Sequence, residues 1–191
     1  HSYFFDPLGM HHTRYNPPLE WKRKVAPTEI DSIYRNRLIH GEVHDENTHL
    51  MGGVSGHAGI FSTAKEIARY AQMLVDGGIW EGRRILKKSQ IQEFTKVQHI
   101  PQDSDLALGW DTPSQSGKSI AGDYFTPGSF GHLGFTGTSL WIDPNEGIII
   151  VLLTNRVHPS RKGDEGSKEM YGIRRDFYNR VMEVLIKPVE E

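Results

Sequence analysis

One short stretch concentrates the chemical possibilities of this chain: Phe130-Gly-His-Leu-Gly-Phe-Thr-Gly-Thr138. Gly131, Gly134 and Gly137 interrupt residues of strand character. Glycine weakens a strand, so three of them point to a place where another backbone or a ligand comes close. His132 sets a titratable imidazole among them. Such a ribbon could take an extended substrate along its edge and offer a backbone N–H to a developing oxyanion. A glycine-rich bulge around a packed histidine would give the same pattern.

Other candidates are scattered. His40, His44, His49 and His57, with Asp45 and Glu46, are residue types that ligate zinc. No pair makes the helical His-Glu-x-x-His pattern, and the intervening glycines indicate a loop. Hydrogen bonds pinning that loop explain the cluster more simply, so no metal and no cofactor is expected. Ser62-Thr-Ala-Lys65 matches Ser-x-x-Lys, which on a helix would bring the two side chains one turn apart. However, Thr63 is better placed as a helix cap, and no Tyr-x-Asn follows. Tyr34-Arg-Asn36 matches Tyr-x-Asn literally. Asn155-Arg156 and Arg174-Arg175 could hold a substrate carboxylate, since guanidinium forks carboxylates in a bidentate way. A surface charge or salt bridge accounts for Arg175 equally well. His11 and His12 are expected to be exposed, and Trp110 and Trp141 to lie in the core.

The flanking elements must position these groups. The chain has 191 residues, 37% hydrophobic, enough for one domain with its own core. Twenty-two Lys and Arg against 24 Asp and Glu leave a net charge of −2, and no basic run suggests a nucleic-acid partner. The longest strongly apolar run is Ile148-Ile-Ile-Val-Leu-Leu153, far short of the roughly 20 residues of a membrane helix. Any membrane anchor would therefore lie outside this chain. Cysteine is absent, which excludes disulfides, cysteine-ligated zinc and thiol catalysis.

The chain opens on His1-Ser-Tyr-Phe-Phe-Asp-Pro-Leu-Gly-Met10, which reads as the end of a helix entering a turn. Nothing upstream starts that helix, so the chain is expected to begin partway through a larger fold. Residues 16–27 read as a surface loop, 28–38 have mixed character, and 40–59 form a second long loop. A helix is expected from the Thr63-x-x-Glu66 capping box to Gly77-Gly78, with Ile67, Ala71, Leu74 and neighbours on one face. A second is expected over 89–98, capped by Ser89, with Ile91, Phe94 and Val97 inward. A short strand is expected over 106–111. Residues 129–142 and 148–154, joined by Asp143-Pro-Asn-Glu-Gly147, read as a β-hairpin whose second strand is covered on both faces. Residues 160–166 read as polar and mobile. The last helix is expected over 170–186, with Ile173, Phe177, Val181, Val184 and Leu185 on one face and Pro188 stopping it. The fold class is α+β, an antiparallel sheet flanked by helices.

Taken together, several stretches resemble the C-terminal part of the serine β-lactamase and penicillin-binding protein superfamily, in its class C-type branch of β-lactamase-related hydrolases and D-Ala-D-Ala carboxypeptidases. They are Gly131-His-Leu-Gly-Phe-Thr-Gly-Thr138, Leu140-Trp-Ile-Asp-Pro144, Leu152-Leu-Thr-Asn-Arg156, Asp6-Pro-Leu-Gly-Met10, His40-Gly-Glu-Val-His-Asp-Glu-Asn47 and Gly52-Gly-Val-Ser-Gly-His-Ala-Gly-Ile-Phe-Ser62. Their order matches the family across nearly the whole chain.

The resemblance implies an active-site serine hydrolase acting through an acyl-enzyme on D-Ala-D-Ala peptides, β-lactams or small esters. His132-Leu133-Gly134 matches the family's third motif in its His-x-Gly form. Phe135 would donate its backbone N–H to the oxyanion, the nucleophile's own N–H being the second donor. The expected catalytic positions are His132, Gly134 and Phe135. Leu133, Thr136, Asn155 and Arg156 are the expected substrate-lining positions. In the family, residues 62–74 match a helix after the catalytic loops, and the tyrosine motif precedes the Pro-Leu-Gly-Met stretch. The nucleophile, its lysine and the tyrosine would therefore all lie upstream of His1. Residues 1–191 would form a single but incomplete domain, completed by the missing N-terminal segment or a partner chain. A bacterial, extracytoplasmic location is implied, periplasmic or at the cell envelope. Two alternatives are a penicillin-recognising module without hydrolysis and a metal-dependent hydrolase using the histidine loop.

Overall fold

The computed structural model describes residues 1–114 and 119–186. The chain runs through a short 3-10 helix (Leu19–Lys24), β1 (Ile30–Asp31), β2 (Arg37–Leu38), α1 (Glu46–Leu50), α2 (Ala64–Val75), β3 (Ile79–Trp80) and β4 (Arg83–Arg84). It continues through α3 (Lys88–Thr95), β5 (Phe130–Leu133), β6 (Ser139–Asp143), β7 (Ile148–Leu152) and α4 (Gly163–Ile186). The architecture is α+β. A three-stranded antiparallel sheet, ordered β5-β6-β7, lies between α2 and α4.

Strand alternation explains the two-sided core. Phe130, Ile142 and the neighbouring Leu140 and Ile149 pack with Ala71, Met73 and Leu74 of α2 and with Leu8 and Met10. Trp141 and Ile150 point the other way, onto Tyr178 and Met182 of α4 and onto Phe125. The apolar run of β7 is thus covered on both faces, as its composition requires. Gly131 lies opposite Trp141 in the β5–β6 register. A Cβ there would collide with the indole and with the Leu140 carbonyl.

Helix α2 starts as the sequence indicates, with Thr63 Oγ1 accepting from the Glu66 N–H at 3.3 Å. The reciprocal half of the capping box does not form. Burial disfavours the Glu66 carboxylate, yet hydrogen bonds from Thr13 Oγ1 (2.6 Å) and the His12 N–H (3.0 Å) outweigh it and hold the carboxyl below its ordinary range. Glu66 therefore ties the segment after Met10 to the helix. Gly77 and Gly78 end α2 at φ +64° and +90°, their N–H groups reaching Leu74 O and Met73 O.

Several elements differ from expectation. The strand expected over 129–142 is two strands, because Gly134 and Thr138 close a turn between them through Gly134 N–H to Thr138 O (2.7 Å). No strand forms over 106–111; Leu106 and Leu108 are exposed, and only Asp111 bridges to Gly131. Helix α3 begins at Lys88 and buries Ile91, while Phe94 is exposed because only one turn of this helix reaches the core. The loop over 40–59 contains α1, capped by Asp45 accepting from the Thr48 N–H. Helix α4 starts at Gly163, so most of the segment expected to be mobile is helical or leads directly into the helix. Its buried face is Gly166, Met170, Arg174, Tyr178 and Met182, every fourth residue. Ile173, Val184 and Leu185 face solvent. The helix turns this way because Tyr178 reaches Ser139 Oγ and Arg174 reaches the β5–β6 turn. Pro188 lies outside the described residues.

Replacing Gly131 by Ala is expected to destabilise the protein by about 2 kcal/mol through overpacking against Trp141. Urea unfolding checks this; an unshifted midpoint would contradict the close passage of strand and indole.

Candidate active site

β5 is an edge strand. Gly131 exchanges both its backbone hydrogen bonds with Asp111, at 2.8 and 2.9 Å. By alternation His132 turns its backbone toward β6, and Leu133 turns its own toward the open edge. The His132 ring is exposed, with Nδ1 2.9 Å from Leu133 O. A carbonyl only accepts, so Nδ1 carries the proton in the neutral ring and Nε2 presents its lone pair. Burial raises the Asp111 carboxyl above its ordinary range, against the nearby pull of His132.

The turn that follows has an unusual polarity. Leu133 O accepts from His132 Nδ1. Gly134 O accepts from Arg174 Nη2 at 2.7 Å and from the Gly137 N–H at 3.0 Å. Phe135 O accepts from Arg156 Nε (2.7 Å) and Thr136 O from the Arg156 N–H (2.8 Å). Gly137 O accepts from Thr154 Oγ1 (2.6 Å), and Thr138 O from Arg174 Nη2 and the Gly134 N–H, both at 2.7 Å. In a trans peptide the N–H points away from the C=O. Among the described residues, nothing accepts the N–H of Phe135 or Thr136. Carbonyls tied to the protein leave two neighbouring amides as donors that a negative oxygen could engage.

Phe135 is held from its ring side. His44 stacks on it with ring centroids 5.6 Å apart, and the Arg156 guanidinium lies 4.4 Å from the ring centre. His44 Nε2 is 2.9 Å from Glu29 Oε2. Arg161 grips the same Glu29 carboxylate at 2.6–3.0 Å and reaches Glu46 at 2.7 Å. The Arg161 hydrogen bond, aided by His44, holds the Glu29 carboxyl below its ordinary range despite burial. For Glu46 burial works against ionisation, and Arg161 again prevails. Beside this network lies a cavity of about 380 Å³ lined by Glu29, Tyr34, Glu46 and Arg161 among others. Glu29 and Arg161 carry no motif spacing, so the sequence reading missed them.

The expected substrate-lining residues divide into two groups. Leu133 and Thr136 lie at the site, half-buried. Asn155 turns away: its Nδ2 donates to Pro27 O, and its Oδ1 is buried with no hydrogen-bond partner among the described residues. Arg156 is committed to Phe135 O, to the Phe135 ring and to Arg161 O at 3.2 Å. It braces the turn, and its donors at those contacts do not face an incoming carboxylate. Arg175 pairs with Asp123 at 2.6 Å.

The literal motif matches do not assemble. Ser62 precedes the N-cap of α2, and its Oγ lies 2.6 Å from Thr13 Oγ1. Ser62 and Lys65 are therefore not one turn apart on a helix. Tyr34 is exposed beyond β1. The loop histidines have separate partners: Val25 O for His40, Glu29 for His44, Glu42 for His49 at 3.7 Å, and Asp45 with Ser55 for His57. Among the described residues no group of three or more His, Cys, Asp or Glu could hold a metal ion. Trp141 is fully buried, and Trp110 sits half-buried with its ring edge-on to Phe130.

Comparison with known proteins gives consistent results. The family model described as Beta-lactamase matches residues 1–170. A Salmonella enteritidis protein provisionally named D-alanyl-D-alanine carboxypeptidase is 34% identical over 168 residues, covering 81% of this chain and 38% of that protein. The chain thus spans well under half the length of the curated relatives it matches. A beta-lactamase from Mycobacterium bovis superposes with a TM-score of 0.59 at 17% identity, over 97% of this chain and 55% of that one. A penicillin-binding protein homologue from Caulobacter crescentus gives 0.54 at 18% identity, over 80% of this chain and 44% of that one. At these identities the likeness is one of fold, the β-lactamase/transpeptidase-like α+β arrangement.

The Glu29 network makes stability depend on pH. A carboxyl depressed in the folded state stabilises fully above its unfolded value, ordinarily 4.5, and loses that contribution as pH falls through the folded value. Glu29→Gln is expected to lower the melting temperature most at neutral pH. The deficit should shrink below pH 4.5, as thermal unfolding at a series of pH values would show.

Proposed function

Because the chain belongs to the beta-lactamase family, we propose that it builds one wall of the active site of a serine hydrolase working through an acyl-enzyme. The nucleophilic serine, its lysine and the assisting tyrosine are assigned to the part of the full-length protein that precedes His1. Residues 1–191 then complete a single domain together with that part. The observation carrying this reading is the turn over 133–138, whose outward Phe135 N–H stands at an open strand edge beside the exposed His132.

The chemistry follows from that placement. The serine Oγ attacks a carbonyl carbon, and the new oxyanion accepts hydrogen bonds from the Phe135 N–H and from the nucleophile's own N–H. Leu133, on the open edge, provides backbone groups along which an extended acyl chain can lie. His132 Nε2 faces the reacting groups, where it orients hydroxyls and tunes proton transfer. The upstream lysine takes the serine proton; collapse of the tetrahedral intermediate breaks the scissile bond, that proton passes to the departing nitrogen or oxygen (which in a β-lactam stays tethered), and water then hydrolyses the serine ester. The substrate class is a D-Ala-D-Ala peptide, a β-lactam or a small ester, recognised outside the cytoplasm. Any membrane anchor would be carried elsewhere in the full-length protein.

Full-length protein incubated with a fluorescent penicillin is expected to gain the mass of one penicilloyl group on a serine upstream of His1. No mass gain with any β-lactam, peptide or ester substrate would overturn the hydrolase reading. His132→Ala is expected to lower the acylation rate by roughly 100-fold or more while barely moving the melting temperature. An unchanged acylation rate would remove His132 from the mechanism.

A further inference from the structure

The buried face of α4 carries one residue that its packing does not explain. Arg174 is 5% exposed, in a row otherwise made of Gly166, Met170, Tyr178 and Met182. Among the described residues no carboxylate pairs with it. Burial pushes its guanidinium below the ordinary arginine range, and its Nε is buried with no hydrogen-bond partner among the described residues. A buried, unpaired cation is unfavourable, and an apolar side chain of similar volume would pack against a sheet at lower free energy. The contacts Arg174 does make are specific. Its Nη2 donates to Gly134 O and to Thr138 O, both at 2.7 Å, the two ends of the turn between β5 and β6.

Gly134 O and the Phe135 N–H belong to the same peptide group. We propose that Arg174 is a positioning residue: by holding that carbonyl on the α4 side of the sheet, it aims the Phe135 N–H into the site. The inference rests on the oxyanion role assigned above to Phe135. Two effects act together. The peptide is planar and trans, so fixing the direction of its oxygen fixes the opposite direction of its hydrogen. A positive charge on the oxygen also polarises the peptide, which makes its N–H a stronger donor. Bridging Thr138 with the same nitrogen reinforces the closure already made by the Gly134 N–H to Thr138 O hydrogen bond. Arg156 acts on the next carbonyl, Phe135 O, at 2.7 Å, so the two arginines fix successive peptides.

The test compares wild type, Arg174→Met and Arg174→Lys in the full-length protein. The measurements are the rate of acylation by a penicillin, its affinity before acylation, and the amide spectrum of isotope-labelled phenylalanine. Phe135→Leu identifies the Phe135 signal. Arg174→Met should slow acylation roughly 10- to 100-fold, less than complete loss of an oxyanion donor. Affinity before acylation should stay within about twofold, since the interaction strengthens only in the transition state. The Phe135 amide signal should move, and Arg174→Lys should restore part of both the rate and the signal. A folded Arg174→Met protein that acylates like wild type, or whose Phe135 amide does not move, overturns the proposal. Should Arg174→Met fail to fold, Arg174→Gln, whose amide ends at the level of the arginine Nε and falls short of both carbonyls, is read by the same two outcomes. Failure of wild type to acylate would overturn the hydrolase reading alone. The Phe135 amide would then still decide whether Arg174 sets that peptide.

Discussion

Six consecutive carbonyls, from Leu133 to Thr138, all find donors within the protein. A planar trans peptide cannot send its N–H the way its C=O already points. This single geometric constraint organises the site. Donors from β7's end (Thr154, Arg156), from α4 (Arg174) and from the turn itself draw the oxygens onto the protein, and the Phe135 and Thr136 amides are left facing out. The oxyanion role proposed for these amides would need no side chain of its own. It relies on rigid neighbours, and the two-sided packing of the sheet between α2 and α4 provides them.

A second layer of the design is long-range ion pairing. Glu29, His44, Glu46 and Arg161 come from three separate places in the chain and meet behind the Phe135 ring. Their mutual satisfaction holds the Glu29 and Glu46 carboxyls ionised despite burial. A partly buried network of this kind contributes chiefly to a unique arrangement, since desolvation offsets much of the attraction. Here the arrangement it selects is the position of Phe135. Glu66 does comparable work on the far side of the sheet, fastening the segment around Thr13 to the start of α2.

Two residues show how a local pattern can be overruled. Asn155 and Arg156 follow the end of β7, where a substrate-facing amide and guanidinium would be natural. The neighbouring loops claim both: Pro27 O takes the Asn155 amide, and Phe135 O takes the Arg156 guanidinium. In α4 the amphipathic stripe of Ile173, Val184 and Leu185 lies outward, because the sheet accepts Tyr178 and Met182 and the turn accepts Arg174. Periodicity names a helix reliably, and the partner surface decides which stripe is buried.

The sequence alone determined the elements that local physics controls. These are the capped helix from Thr63 to Gly78, the β6–β7 hairpin around Asp143-Pro-Asn-Glu-Gly147, the two-faced burial of β7 and the glycine-rich ribbon with His132. Each depends on turn chemistry or on spacing within a few residues. The tertiary structure alone decided which groups meet at Phe135, how α4 is rotated, that residues 129–142 fold back as two strands, and which way each peptide of the turn points. Those outcomes depend on hydrogen bonds between residues tens of positions apart, such as Gly134 with Arg174 and Glu29 with Arg161. No short-range pattern encodes them, because the donors become neighbours of those acceptors only once the sheet and α4 have packed.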